Sequence, residues 1–111
     1  MKVFKFGGAS VKDANGVKNA ATIIRSYAGE KLLVIVSAMG KTTNAFEDLL
    51  ELHLTRNEKV FEKLEEIKTF HVAICTDLFG DKNNAIFQEL HNTFVEADWQ
   101  LEDEPIGTVG F

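Results

Sequence analysis

Two short stretches of this chain combine residue types that can handle a phosphate or a small anion. The first is Lys5-Phe6-Gly7-Gly8-Ala9-Ser10. Adjacent glycines let the backbone approach a phosphate without side-chain obstruction, and their N–H groups can point at its oxygens. Lys5 brings a positive charge to the same bend, where it can meet charge developing on a transferring phosphoryl group. The second stretch is Ser37-Ala38-Met39-Gly40-Lys41-Thr42-Thr43-Asn44, whose hydroxyls and N–H groups gather where a helix should begin. Each also has a plain reading: a Gly-Gly turn beside an exposed lysine, and a set of helix-capping side chains.

Gly40-Lys41-Thr42 has the ending of a P-loop, which needs a further glycine five residues before Gly40. That position is Ile35, inside an apolar run. The P-loop is excluded.

The elements that must position these loops can be read from periodicity. Lys2-Val3-Phe4-Lys5-Phe6 is short, rich in β-branched and aromatic residues, and ended by Gly7-Gly8, so it reads as a strand. A lysine without an anionic partner is costly inside such a strand if it is buried, which favours a function for Lys5 over accident. Asp13 can cap a helix carrying Val17, Ala20, Ala21, Ile24 and Ala28 at helical spacing, with Gly29 at its stop. A helix starting there also favours an anion at its N-terminus. Leu32-Leu33-Val34-Ile35-Val36 is an unbroken apolar run, suited to a strand covered on both faces. Strand, helix and strand in this order form a βαβ unit, with both candidate loops at the carboxyl ends of parallel strands, where α/β sheets bind ligands.

Beyond residue 42 the pattern is helical. Phe46, Leu49 and Leu50 mark one helix. Phe61, Leu64, Ile67, His71, Ile74, Cys75 and Leu78 mark a longer one closed by Gly80. Asn83 or Asn84 can cap a last helix carrying Ile86, Phe87, Leu90 and Phe94. Glu102-Asp103-Glu104-Pro105 breaks the pattern, and the chain closes on the apolar tail Ile106-Gly107-Thr108-Val109-Gly110-Phe111. Two strands leave too many sheet edges unpaired, so the expectation is the N-terminal part of a larger α/β domain.

A length of 111 residues favours one domain over two. With 45% hydrophobic residues and nine Phe, disorder is not expected. Twelve basic against seventeen acidic residues give a formal net charge of −5, which speaks against non-specific binding to nucleic acid or to an anionic membrane. The single cysteine allows no internal disulfide, and neither a signal peptide nor a spanning stretch is evident, so a cytoplasmic location is expected.

Taken together, the two loops resemble the aspartate kinase (aspartokinase) family, of the amino-acid kinase fold. Val3-Phe4-Lys5-Phe6-Gly7-Gly8-Ala9-Ser10-Val11 is similar to that family's opening signature at every position except Ala9, where a hydroxyl is usual. Val34 through Asn44 is similar to its second hallmark. The resemblance implies that residues 1–111 are the N-terminal part of the catalytic domain, a three-layer α/β/α fold that opens with a parallel βαβ unit followed by several helices. It implies phosphorylation of the side-chain carboxylate of L-aspartate by ATP, giving 4-phospho-L-aspartate, the first step toward lysine, threonine and methionine. By position, Lys5 is the catalytic lysine, and Lys5, Phe6, Gly7, Gly8 and Ser10 surround the ATP phosphates. Ser37, Ala38 and Thr43 lie beside aspartate. Mg²⁺ is implied on the ATP, with ligands outside these residues, and a homo-oligomer is implied for the full-length enzyme. The family's V-S-x-G-E and R-G-G-S-D segments, base pocket and ACT domains are not within these 111 residues, so this piece alone is expected to be inactive.

Other residues carry plainer readings. His53, His71 and His91 have no second ligand at metal spacing; His71 reads as a core-edge residue and the others as solvent-facing. Cys75 reads as a buried structural thiol, Trp99 as a packing residue, and Glu96, Asp98, Glu102, Asp103 and Glu104 as a solvated acidic run. Two further readings stand beside aspartate kinase. One is another amino-acid-kinase-fold enzyme acting on a different carboxylate, carbamate or nucleotide, which the Met39–Asn44 loop disfavours. The other is a non-catalytic helical interaction module, which Lys5 disfavours.

Overall fold

The computed structural model describes residues 1–80 and 83–104. Pro105 and the apolar tail after it lie outside the described residues. The chain runs β1 (Lys2–Phe6), α1 (Ala14–Ser26), β2 (Leu32–Val36), α2 (Thr42–Leu54), α3 (Val60–Phe79) and α4 (Ala85–Glu102). The mixed α/β order expected from periodicity is present. The described residues form two compact units, Met1–Thr43 and the residues from Asn44 onward.

In the first unit β1 and β2 pair in parallel, with Lys2 opposite Leu32, Lys5 opposite Ile35 and Phe6 opposite Val36. The connection between them is α1. Asp13, in extended conformation, accepts the Gly16 N–H on its side chain at 2.8 Å and so caps the helix. One face of α1 meets one face of the sheet. Phe6, Val11 and Ala20 are buried there, with Phe4, Val17, Ile23, Ile24, Val34 and Met39 packed around them. Tyr27 lies against Phe4 with ring centroids 5.0 Å apart.

Cover on both faces, as the unbroken apolar run of β2 suggested, is not found among the described residues. Side chains alternate along a strand, so Val3 and Lys5 share the face opposite Phe4 and Phe6. With their partners Leu33 and Ile35 they are exposed, the three apolar residues at 55%, 47% and 46% respectively. An apolar run shows that a strand can be buried twice; it cannot supply the second layer.

The second unit is helical. Leu49 of α2, Val60, Leu64 and Ile67 around the start of α3, and Phe94 of α4 form its core, flanked by Ala45, Leu52, Leu90, Ala97 and Leu101. Gly80 closes α3, giving its N–H to the Thr76 carbonyl at 2.9 Å. Asn84, not Asn83, is the cap of α4, accepting the Ile86 N–H at 3.0 Å. His71 is half-buried at the core edge, its Nδ1–H donated to the Ile67 carbonyl at 2.8 Å and its ring edge-on to Phe70. His91 is exposed, whereas His53 is half-buried rather than solvent-facing. Cys75 is buried, and burial pushes its thiol pKa up. Trp99 departs from its packing reading: it is 62% exposed. Phe46 and Phe61 also stand largely outside the stripes that periodicity gave them.

Candidate active site

Parallel register brings the ends of β1 and β2 side by side, and the two loops leave them together. The Ser37 N–H donates to the Phe6 carbonyl at 2.9 Å, carrying the pairing one residue past the strands. The Gly40 N–H then donates to the Gly8 carbonyl at 3.0 Å. The two candidate stretches therefore touch and form one surface.

Gly8 is glycine because of this approach. A Cβ at residue 8 would stand 2.6 Å from the Gly40 carbonyl oxygen and 3.3 Å from that of Ala38, both backbone atoms with little room to retreat. Gly7 differs. Its φ is not in the left-handed region, and a Cβ there would meet nothing within 4 Å among the described residues. The protein's own packing does not require glycine at position 7, which leaves an open cradle that a side chain would fill.

The first loop is folded by short turns. The Ser10 N–H donates to the Gly7 carbonyl at 3.0 Å and the Val11 N–H to that of Gly8 at 3.3 Å. The N–H groups of Gly8 and Ala9 have no hydrogen-bond partner among the described residues. Unpaired donors beside the open space at Gly7 suit the oxygens of a phosphate. The helix end contributes less than periodicity suggested, because Asp13 already places a carboxylate at the N-terminus of α1.

Lys5 is exposed and makes no ion pair among the described residues, whereas Lys2 reaches Glu30 at 3.9 Å and lies over the Tyr27 ring at 4.4 Å. Burial therefore does not weigh on Lys5 as it stands. Lys5 is placed on the uncovered face of the sheet, paired with Ile35 and on the same side of β1 as Val3. Phe6 is different: its side chain is 7% exposed and sits in the core, and its carbonyl is taken by Ser37. It anchors the loop from beneath. Ser10, Ser37, Ala38 and Thr43 are all exposed, the first beside Gly8 in the first loop and the others on the second.

Thr42 is the residue that sequence reasoning placed less well. It is 6% exposed, and its hydroxyl donates backward to the Met39 carbonyl at 2.5 Å instead of accepting an N–H of α2. That bond ties the second loop to Met39, which packs on the first unit's core. Among the described residues, no three His, Cys, Asp or Glu side chains gather to hold a metal ion, and no helix is long and apolar enough to cross a membrane.

Comparison with known proteins shows the family. The model of the Amino acid kinase family matches residues 1–99, nearly the whole described chain. The chain belongs to the amino acid kinase family. Among its curated relatives, Aspartokinase 2, chloroplastic, of Arabidopsis thaliana is 39% identical over 80 residues, which are 68% of this chain and 14% of that protein. Bifunctional aspartokinase/homoserine dehydrogenase 2, chloroplastic, of the same plant is 34% identical over 91 residues, 81% of this chain and 10% of the relative. A carrot protein, Bifunctional aspartokinase/homoserine dehydrogenase, chloroplastic, is 31% identical over 85 residues, 77% of this chain and 9% of the relative. The chain thus spans about a tenth of the length of these family members, and its paired loops lie within the matched region.

Proposed function

We propose that this chain supplies the phosphate loop and the acceptor loop of an aspartate kinase, whose remaining catalytic parts come from sequence outside these 111 residues. The observation that carries the reading is the contact of Gly8 with Gly40, which fuses the two loops that an ATP-dependent carboxyl kinase must hold together. Names of the relatives support aspartate as the acceptor. The small share of their length that the chain spans, and the uncovered sheet face, support a catalytic domain completed by further elements.

In this reading one oxygen of the aspartate side-chain carboxylate forms a bond to the γ-phosphorus of ATP while the bond to the β–γ bridging oxygen breaks. ADP leaves with that electron pair, and the product is an acyl phosphate. No general base is needed, since the carboxylate is already ionised at neutral pH. What the step requires is alignment of two anions and neutralisation of charge. Gly7 leaves space for a phosphate beside the free N–H groups of Gly8 and Ala9, and Ser10 adds a hydroxyl. Lys5 meets the charge on the transferring group. Ser37, Ala38 and Thr43 hold the amino acid on the adjoining loop. Mg²⁺ carried by the nucleotide would supply further neutralisation, with ligands from beyond this chain.

The test is an assay of the longer polypeptide that contains this chain, with Mg-ATP and L-aspartate, trapping the acyl phosphate as its hydroxamate. Aspartate-dependent hydroxamate is expected, with none from residues 1–111 alone. A longer polypeptide that phosphorylates a different carboxylate, a carbamate or a nucleotide, and leaves aspartate untouched, would replace this reading with the wider family one.

A further inference from the structure

Gly16 lies in the first turn of α1, six residues beyond the phosphate loop, and nothing in the loop motifs calls for a glycine there. The position is a poor one for glycine on local grounds, since a helix favours almost any other residue. Its contacts supply the reason. A Cβ on residue 16 would stand 2.5 Å from the Ser10 carbonyl oxygen and 3.2 Å from the Ser10 carbonyl carbon, both backbone atoms, and 3.3 Å from the Asp13 carboxylate. The helix start and the end of the phosphate loop are therefore in direct backbone contact.

That contact is fixed from several sides. The Gly16 N–H is held by Asp13 at 2.8 Å, and the Val17 N–H by the Asp13 carbonyl at 3.1 Å, so the first turn cannot easily slide. Val11 and Ala14, between the two contacting residues, are buried. Ser10 in turn binds back to Gly7 through its N–H at 3.0 Å. A displacement at residue 16 is passed through the Ser10 peptide to Gly7, the position with open space beside it.

We propose that Gly16 is a positioning residue for nucleotide binding: its missing side chain lets the first turn of α1 press on the Ser10 peptide and set the shape of the Gly7–Ser10 loop. The inference rests on the aspartate kinase reading above. It concerns the nucleotide first, because the atoms a Cβ on residue 16 would meet soonest belong to Ser10 and Asp13, on the phosphate-loop side, and none of them to residues 37–43.

The test is Gly16→Ala in the longer polypeptide. Alanine is the better helix former, so α1 has no local reason to unfold, and the Ser10 carbonyl oxygen at 2.5 Å is the nearest obstacle, ahead of the Asp13 carboxylate at 3.3 Å. The expected result is a KM for ATP raised at least fivefold, with the KM for aspartate within twofold of the parent and the circular dichroism spectrum unchanged. Titration with Mg-ATP alone should show the same weakening. As a second variant, Asp13→Asn keeps an acceptor for the Gly16 N–H and should leave the KM for ATP within twofold. Equal ATP parameters in parent and Gly16→Ala proteins would overturn the inference while leaving the kinase reading standing. So would equal losses toward both substrates, or loss of the fold, since either would make the contact merely structural. A parent protein without phosphoryl transfer would remove the kinase reading first, and this inference with it.

Discussion

The Gly40 N–H and the Gly8 carbonyl meet at 3.0 Å, and the same approach leaves no room for a Cβ on residue 8. One pair of residues thus joins the loops after β1 and β2. The neighbouring glycines of the first loop consequently serve different ends, and substitution separates them.

Gly8→Ala should destabilise the protein by about 1–3 kcal/mol, because the added methyl meets backbone oxygens that cannot rotate away. Gly7→Ala should leave stability unchanged or raise it by less than about 1 kcal/mol, since its backbone suits alanine and its surroundings are open. Denaturant midpoints measure both. Gly7→Ala should nevertheless weaken Mg-ATP binding, and a variant that binds nucleotide as the parent does would take position 7 out of the phosphate site.

Lys5→Ala, in the longer polypeptide, should lower kcat by about a hundredfold to a thousandfold while the KM for aspartate changes little. Stability should be nearly untouched, because the Lys5 side chain is exposed and makes no ion pair among the described residues. Steady-state kinetics with each substrate varied in turn checks the split.

Asp13→Ala removes the acceptor of the Gly16 N–H and should cost about 1 kcal/mol, the usual value for an N-cap. Asn84→Ala should cost a similar amount through α4. Thermal melts of the two single variants and the double variant should show additive losses, since the caps lie in separate compact units.

Ile67→Ala empties a position only 3% exposed at the centre of the helical unit and should cost about 2–5 kcal/mol. Trp99→Ala, at a side chain 62% exposed, should cost far less. Equal losses from the two would contradict the core as described.

Burial raises the Cys75 thiol pKa above its ordinary value of 9.0. A raised pKa means the folded state holds the proton more tightly, so stability from this group is full below 9 and is lost as pH climbs through the folded value. Cys75→Ser should flatten that alkaline decline, and labelling of Cys75 by iodoacetamide at pH 8 should be slow until the protein is unfolded.

Much of this architecture was legible in the residues. The glycine pair after Phe6, the cap at Asp13, the stop at Gly80 and the apolar stripes of α3 and α4 each follow from a local rule. What local rules could not give is which neighbour covers a face. The apolar run of β2 suits two covers and has one among the described residues, and Trp99, whose place near the end of α4 suits packing, stands 62% exposed. Thr42 has a capping residue's chemistry, yet its hydroxyl turns to Met39, since only tertiary packing decides between donor and acceptor roles. Gly16 left a trace that periodicity alone could not interpret: a glycine where helix propensity argues against one. The candidate site was legible as two separate loops; their contact depends on strand register, which no single loop encodes.

The stripe formed by Val3, Leu33 and Ile35 also governs how this polypeptide handles in a tube. A greasy strip on a sheet with no third strand among the described residues is the kind of surface that recruits copies of itself, and a charge of −5 spread over the molecule repels too weakly at close range to forbid that. Prepared alone and concentrated, it should scatter light and clump, and a single charge placed at Leu33 should restore clear solutions.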